Sequence, residues 1–143
     1  MGKILVGIAM GGYASEKAIS HESGNNVYQN LSREKWEVFR LLINKNQWTV
    51  LDQNNHEIEF DQNDYSFNFN GETLRFDVIF NAVHGEPGEN GELAASLKSQ
   101  NIPQTSCDSL AAALTFDKRK CLELVKKTGV SVAKSFHFNH GDQ

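Results

Sequence analysis

The sequence predicts an α/β fold, a parallel sheet flanked by helices, and three observations carry that reading. Two short, nearly continuous apolar runs, Lys3–Met10 and Phe76–Val83, each lead into a glycine-bearing turn. Strands buried on both faces of a parallel sheet read this way. Between Ser15 and Leu31 the pattern switches to a four-residue spacing, with Ile19, Ser23, Val27 and Leu31 in one row, which marks a helix. A second apolar run, Val38–Ile43, follows, so strand, glycine turn, helix and strand occur in the order of a βαβ unit.

Each element has its own warrant. The first strand breaks at Gly11-Gly12, and Ser20, Ser23 and Gly24 keep one flank of the helix small enough to press against the sheet. A right-handed crossover then leads into Val38–Ile43. Residues 44–75 differ in character. They are rich in Asn, Gln and Asp, and their apolar residues alternate in short pieces, Trp48/Val50, Ile58/Phe60 and Phe67/Phe69. That is the pattern of antiparallel hairpin strands, and Asn70-Gly71 is the turn pair preferred where both central residues need positive φ. The segment reads as an insertion at the sheet edge with a solvated polar face. Phe76–Val83 forms the next buried strand and runs into His84–Gly91. A helix from about Glu92 to Gln100 buries Leu93 and Leu97, and Ile102–Thr105 makes a short extended piece. Ser109 is placed to cap a helical turn through Leu114. Leu114, Lys118, Cys121, Leu122 and Val125 then share one helical face, which Gly129 stops. Ser135–Gln143 reads as the first strand of something further.

The 143 residues give room for one domain, or for a small domain and the beginning of another. A net charge of −4 argues against a basic surface tracking nucleic-acid phosphates. At 39% hydrophobic and 22% charged residues the chain is expected to fold around a core. No run approaches the length of a membrane span, and the start lacks a signal-cleavage pattern, so a cytoplasmic location is expected. Cys107 and Cys121 are too few for a disulfide framework and are read as two buried thiols.

Chemistry is expected at the two glycine turns, since ligands of open parallel sheets gather at the carboxyl ends of the strands. Glycine there lets backbone approach a ligand closely, and helix N-termini attract anions. Gly7–Gly12 has the wrong spacing for a dinucleotide fingerprint, and no Walker lysine motif occurs. Glu86 and Glu89 would repel a bare phosphate. Two readings of Glu16 stand side by side: an acid favoured by the dipole of its own helix, or a carboxylate that receives a substrate ammonium or its proton. His84 is likewise either a satisfied structural donor or a residue of the ligand edge.

Gly11-Gly12-Tyr13-Ala14-Ser15-Glu16-Lys17 with Ile19-Ser20, then Val83-His84-Gly85 with Gly88-Glu89-Asn90-Gly91, then Leu114-Thr115-Phe116-Asp117-Lys118 resemble, in order and separation, the amino-proximal motifs of D-alanine:D-alanine ligases. The resemblance covers nearly the whole chain. It implies a Rossmann-like, pre-ATP-grasp domain over 1–101, with 44–75 as its hairpin insertion, and over 102–143 a truncated beginning of the ATP-grasp domain. These ligases phosphorylate one D-alanine carboxylate with ATP, and the amine of a second D-alanine attacks the acyl phosphate, making the dipeptide used in peptidoglycan.

The resemblance implies roles residue by residue. Glu16 matches the glutamate that holds the first D-alanine's ammonium, and His84 the histidine beside that substrate; both are the catalytic candidates. Ser20 and Gly85 join them as substrate-binding candidates, and Lys118 matches a lysine that contributes to nucleotide binding. ATP and Mg²⁺ would serve the whole enzyme, with the metal ligands lying outside this chain. D-alanine, ATP and a second copy of the chain, in a homodimer through this domain, are the implied partners. Tyr13, Asn90 and Ala94 depart from the residues usual at their positions. Ligases that use D-lactate or D-serine as second substrate share these motifs, and a different ATP-grasp carboxylate–amine ligase with the same amino-terminal fold is a further alternative. The phosphate-covering loop and the carboxylate cluster for Mg²⁺ are not among these residues, so the chain alone is expected to be an inactive piece. A free-standing, non-catalytic binding module is the alternative from another class.

Overall fold

Seven strands form one sheet in the order β6-β5-β4-β3-β2-β1-β7. The computed structural model describes residues 2–136, 138 and 141. The strands are β1 (Ile4–Gly11), β2 (Trp36–Ile43), β3 (Thr49–Leu51), β4 (Glu57–Asp61), β5 (Ser66–Phe69), β6 (Glu72–Arg75) and β7 (Val78–Asn81). The helices are α1 (Lys17–Asn30), α2 (Glu92–Ser99), α3 (Ser109–Phe116) and α4 (Lys118–Lys127). The α/β class is as expected, with a parallel part and the expected antiparallel hairpins at its edge. Only β2, β1 and β7 run parallel. The hairpin strands β3 to β6 continue the sheet antiparallel from β2, because connections this short reverse the chain direction, whereas a parallel neighbour needs a crossover.

The two faces of β1 divide the core. Leu5 and Ala9 point into a cluster with Phe39, Leu41, Ile43, Leu93 and Leu97, which α2 covers. Val6, Ile8 and Met10 point the other way, toward Val27, Tyr28 and Leu31 of α1. This alternation follows the two-residue period of a strand with helices on both sides. On the α2 face the hairpins supply much of the aromatic core. Phe67 lies 5.1 Å from Phe39 and 5.0 Å from Phe76 between ring centroids, in edge-on and tilted packing of the kind aromatic quadrupoles favour.

The small flank expected to press against the sheet does so, and of the row Ile19, Ser23, Val27 and Leu31 only Ile19 points outward. Ile19 is 52% exposed, while Ser20 is fully buried and Gly24 is buried beside it. A Cβ at Gly24 would come within 2.7 Å of the Met10 side chain. Small residues let this helix approach the sheet closely, and its larger apolar residues pack further along, from Val27 to Leu31. Arg40 is buried under the same helix. Its guanidinium lies 4.4 Å from the Tyr28 ring centroid and donates to the Asp52 carbonyl at 2.8 Å.

The expected strand 76–83 is shorter, spanning Val78–Asn81. Its outer edge is occupied: Ile79 N–H donates to Pro103 O at 2.9 Å and Thr105 N–H to Ile79 O at 3.2 Å, which makes residues 102–105 the short extended piece expected there. Two helix readings change. Asp108, not Ser109, caps α3, accepting from the N–H groups of Leu110 and Ala111. The single face from Leu114 to Val125 is split at Asp117, whose backbone leaves the helical region (φ −82°, ψ 92°) and whose side chain caps α4 at Lys120 N–H. Thr128 and Gly129 end α4, with Gly129 at φ 85°. Residues 130–136 form no strand, and the remainder of the expected strand Ser135–Gln143 lies largely outside the described residues. Among the described residues no helix is long and apolar enough to cross a membrane.

Candidate functional site

The carboxyl ends of β1 and β7 lie side by side, with Ala9 paired to Asn81, so the two glycine turns meet above the sheet. A backbone hydrogen bond joins them, Tyr13 N–H donating to Glu86 O at 2.7 Å, while Gly12 N–H donates to Ile43 O at the end of β2 at 2.8 Å. Gly12 (φ +109°) has no room for a side chain, since a Cβ would stand 2.8 Å from Glu86 O. The second loop is tied back by Asn81, which donates from Nδ2 to Gly88 O and accepts from Val83 N–H, both at 3.0 Å. Asn90 accepts from Glu92 N–H at 3.0 Å and so helps start α2. An amide oxygen serves as well as a carboxylate for this bond.

Glu16 immediately precedes α1 yet makes no capping hydrogen bond with its side chain. Its carboxylate instead reaches across to the second turn, where Oε2 lies 3.6 Å from the position a Cβ would take on Gly85. Gly85 (φ +71°) is itself buried, and a Cβ there would stand 2.6 Å from Ala14 Cβ. Glu16 and Lys118 line one cleft of about 660 Å³, together with Glu89, Cys107, Thr115 and Phe116. Motifs separated by a hundred residues thus share a cavity of the size that small-molecule sites have.

His84 follows β7 at the ligand edge and is half-buried, its Nε2 3.2 Å from Ser23 Oγ. It does not line the Glu16–Lys118 cleft but lies next in the chain to Gly85, over which the Glu16 carboxylate sits. Ser20 has a different place from the substrate contact expected of it. It is fully buried, and its hydroxyl accepts from Gly11 N–H and donates to Ala82 O, both at 2.8 Å. With both bonds made to backbone, Ser20 supports the two strand ends from behind.

Sequence reasoning missed two features. Ser23 carries no local signal beyond its small size, because its partner is 61 positions away. The two thiols are not buried: Cys107 is exposed in the cleft and Cys121 is half-buried. Neither lies within the sheet core. Beside Lys118, the Asp117 carboxyl is held below its usual range by the Lys120 N–H and side chain. His21 is lowered by burial and by Lys17.

The strand ends of this α/β fold thus carry a carboxylate, an imidazole and two glycine turns, with a lysine across the cleft. The chain belongs to the family described as the D-ala D-ala ligase N-terminus, whose model matches residues 5–107. It is 46% identical over 138 residues to the D-alanine–D-alanine ligase of Flavobacterium johnsoniae, covering 96% of this chain and 43% of that protein. Among solved structures, D-alanyl-alanine synthetase A of Vibrio cholerae matches with a TM-score of 0.77 and 26% identity, over 91% of this chain and 39% of that one. The D-alanine–D-alanine ligase of Bacillus anthracis, crystallised with ATP, shares the fold with a TM-score of 0.68 and 24% identity, over 92% of this chain and 39% of that one. The chain therefore spans about two fifths of the length of the relatives it matches.

Proposed function

We propose that this chain forms the amino-terminal part of an ATP-dependent D-alanine:D-alanine ligase and supplies the pocket for the first D-alanine. The observation that carries the proposal is the placement of Glu16. Its carboxylate leaves its own helix uncapped, stands over Gly85 and faces a cleft that Lys118 also lines. A carboxylate in that position suits an ammonium, through a charge-assisted hydrogen bond. The acidic second loop, awkward for a phosphate, suits the same cation.

In this reading residues 1–101 are the amino-terminal domain and 102 onward begins the nucleotide-binding domain. Glu16 holds the ammonium of the first D-alanine, so that its carboxylate faces the nucleotide. His84 lies next in the chain to Gly85, over which the Glu16 carboxylate sits, and both belong to the substrate side in this reading. Lys118 offers a point charge to the nucleotide's phosphates. The first D-alanine's carboxylate attacks the terminal phosphorus of ATP, ADP leaves, and the second D-alanine's amine then displaces phosphate from the acyl phosphate. For Mg²⁺ the residues do not fit: among the described residues no three His, Cys, Asp or Glu side chains converge. No step is assigned through a metal on this chain. Pairing of two copies through this domain and a cytoplasmic place in peptidoglycan synthesis belong to the same proposal, and the exposed Ile4 and Ile19 are apolar surface available to such a pair.

The test replaces the matching segment of the Flavobacterium johnsoniae ligase with this chain. The chimera is expected to release ADP in a D-alanine-dependent way and to form D-alanyl-D-alanine. Glu16→Gln in it should lower kcat/KM for the first D-alanine by about ten- to a thousandfold, with loss of a charge-assisted contact. An active chimera whose kinetics ignore Glu16→Gln would remove Glu16 from the pocket.

A further inference from the structure

We infer that Ser23 is a positioning residue that fixes the orientation and tautomer of the His84 imidazole at the ligand edge. The inference rests on the first-substrate pocket proposed above for its catalytic consequence, but its physical core stands without it. His84 Nε2 and Ser23 Oγ are 3.2 Å apart and both side chains are half-buried. Among the described residues the imidazole makes no other hydrogen bond, so Nδ1 is the nitrogen left for a ligand.

The backbone around this pair is held from both sides. One turn earlier on the same helix, Ser20 Oγ accepts from Gly11 N–H at the end of β1 and donates to Ala82 O, two residues before His84. Gly24, next to Ser23, allows the helix to sit within contact of Met10. α1 therefore presents two hydroxyls, three residues apart, to one strand end. Ser20 takes the backbone before His84, and Ser23 takes the imidazole itself. Residues i and i+3 lie on one helical face, so the second hydroxyl is aimed by the packing of the first.

The chemistry of the pair follows from the donor inventory. A neutral imidazole has one N–H and one bare nitrogen, and a hydroxyl donates or accepts as required. When Ser23 donates to Nε2, the proton of the neutral ring sits on Nδ1, and His84 offers an N–H to an oxygen in the pocket. This is the reverse of the Nε2–H form that a free imidazole favours. The bond also restrains the ring's rotation about its side-chain torsions, which a positioned donor needs to be effective.

Two measurements test this. Long-range ¹H–¹⁵N spectra of the 143-residue chain are expected to show His84 mainly as the Nδ1–H tautomer; Ser23→Ala should move it toward Nε2–H, and Ser23→Thr, which keeps a hydroxyl, should restore it. Backbone amide spectra report whether each variant is folded, and the Thr variant decides the matter if Ala perturbs the helix. An unchanged tautomer in a folded Ser23→Ala overturns the inference. In the ligase chimera, Ser23→Ala should lower kcat by about two- to tenfold, the worth of one neutral hydrogen bond, with KM for the first D-alanine little changed and with rescue by Thr. A change in KM alone, without rescue, also overturns it. Failure of the ligase reading appears separately, as a chimera with no D-alanine-dependent activity, and then the spectra alone decide whether Ser23 holds His84.

Discussion

Ser20 shows how one hydroxyl can stabilise a fold and a site together. Replacing it with Ala leaves Gly11 N–H and Ala82 O without the partner each has at 2.8 Å, inside a fully buried contact. Ser20→Ala is expected to cost about 1 to 3 kcal/mol of stability, the penalty of stranding buried backbone groups. Urea denaturation of the two chains checks this; equal midpoints would show that water replaces the hydroxyl. At the residue scale the sequence revealed more of the site's identities than of its bonds. Glu16, His84, Gly85 and Lys118 stand out as candidates because their neighbours in the chain form recognisable motifs. That Ser20 works on backbone, and that Ser23 reaches His84, depend on pairings 9 to 62 positions apart, which no local pattern records.

Element boundaries turn on aspartates. Asp108 and Asp117 cap α3 and α4, and Asp52 organises the β3–β4 turn by accepting from Asn54 and His56 N–H groups, both at 2.8 Å. All three carboxyls sit below their usual range. For Asp108 and Asp117 the backbone N–H groups they cap are the largest cause, and for Asp52 burial acts in the opposite direction but is outweighed by His56 and Asn54. A depressed folded-state pKa contributes stability above the unfolded value, and that contribution is lost as pH falls through the folded value. The urea midpoint should therefore hold down to about pH 5 and decline from about pH 4 downward. Asp117→Asn, which keeps a capping oxygen, should flatten part of this decline, whereas Asp117→Ala should lower far-UV helicity at neutral pH as well. A decline identical in Asp117→Asn would remove Asp117 from the acid response. The shared spacing of Leu114, Lys118, Cys121, Leu122 and Val125 concealed this break, because periodicity is blind to one residue leaving the helical region and capping the next helix.

For the whole molecule, the strand types and the edge insertion were legible and the packing of the hairpins was not. Asn70-Gly71 and the alternating aromatics marked the hairpins correctly, but nothing local said that Phe60, Phe67 and Tyr65 would complete the core under α2 rather than form a separate flap. The outer boundaries of the sheet are treated differently. β6 ends it with short, charged Glu72–Arg75, while β7 is apolar and is closed only by residues 102–105. A chain ending at Asn101 should therefore scatter more light than the 143-residue chain at equal concentration, as bare apolar edges pair with one another. Equal scattering would mean that 102–105 is dispensable as a cover. The same arrangement sets an order on biosynthesis: the strand that ends the sheet leaves the ribosome before the segment that closes it. Until Pro103 and Thr105 arrive, the nascent protein carries an open apolar seam along the outer edge of β7.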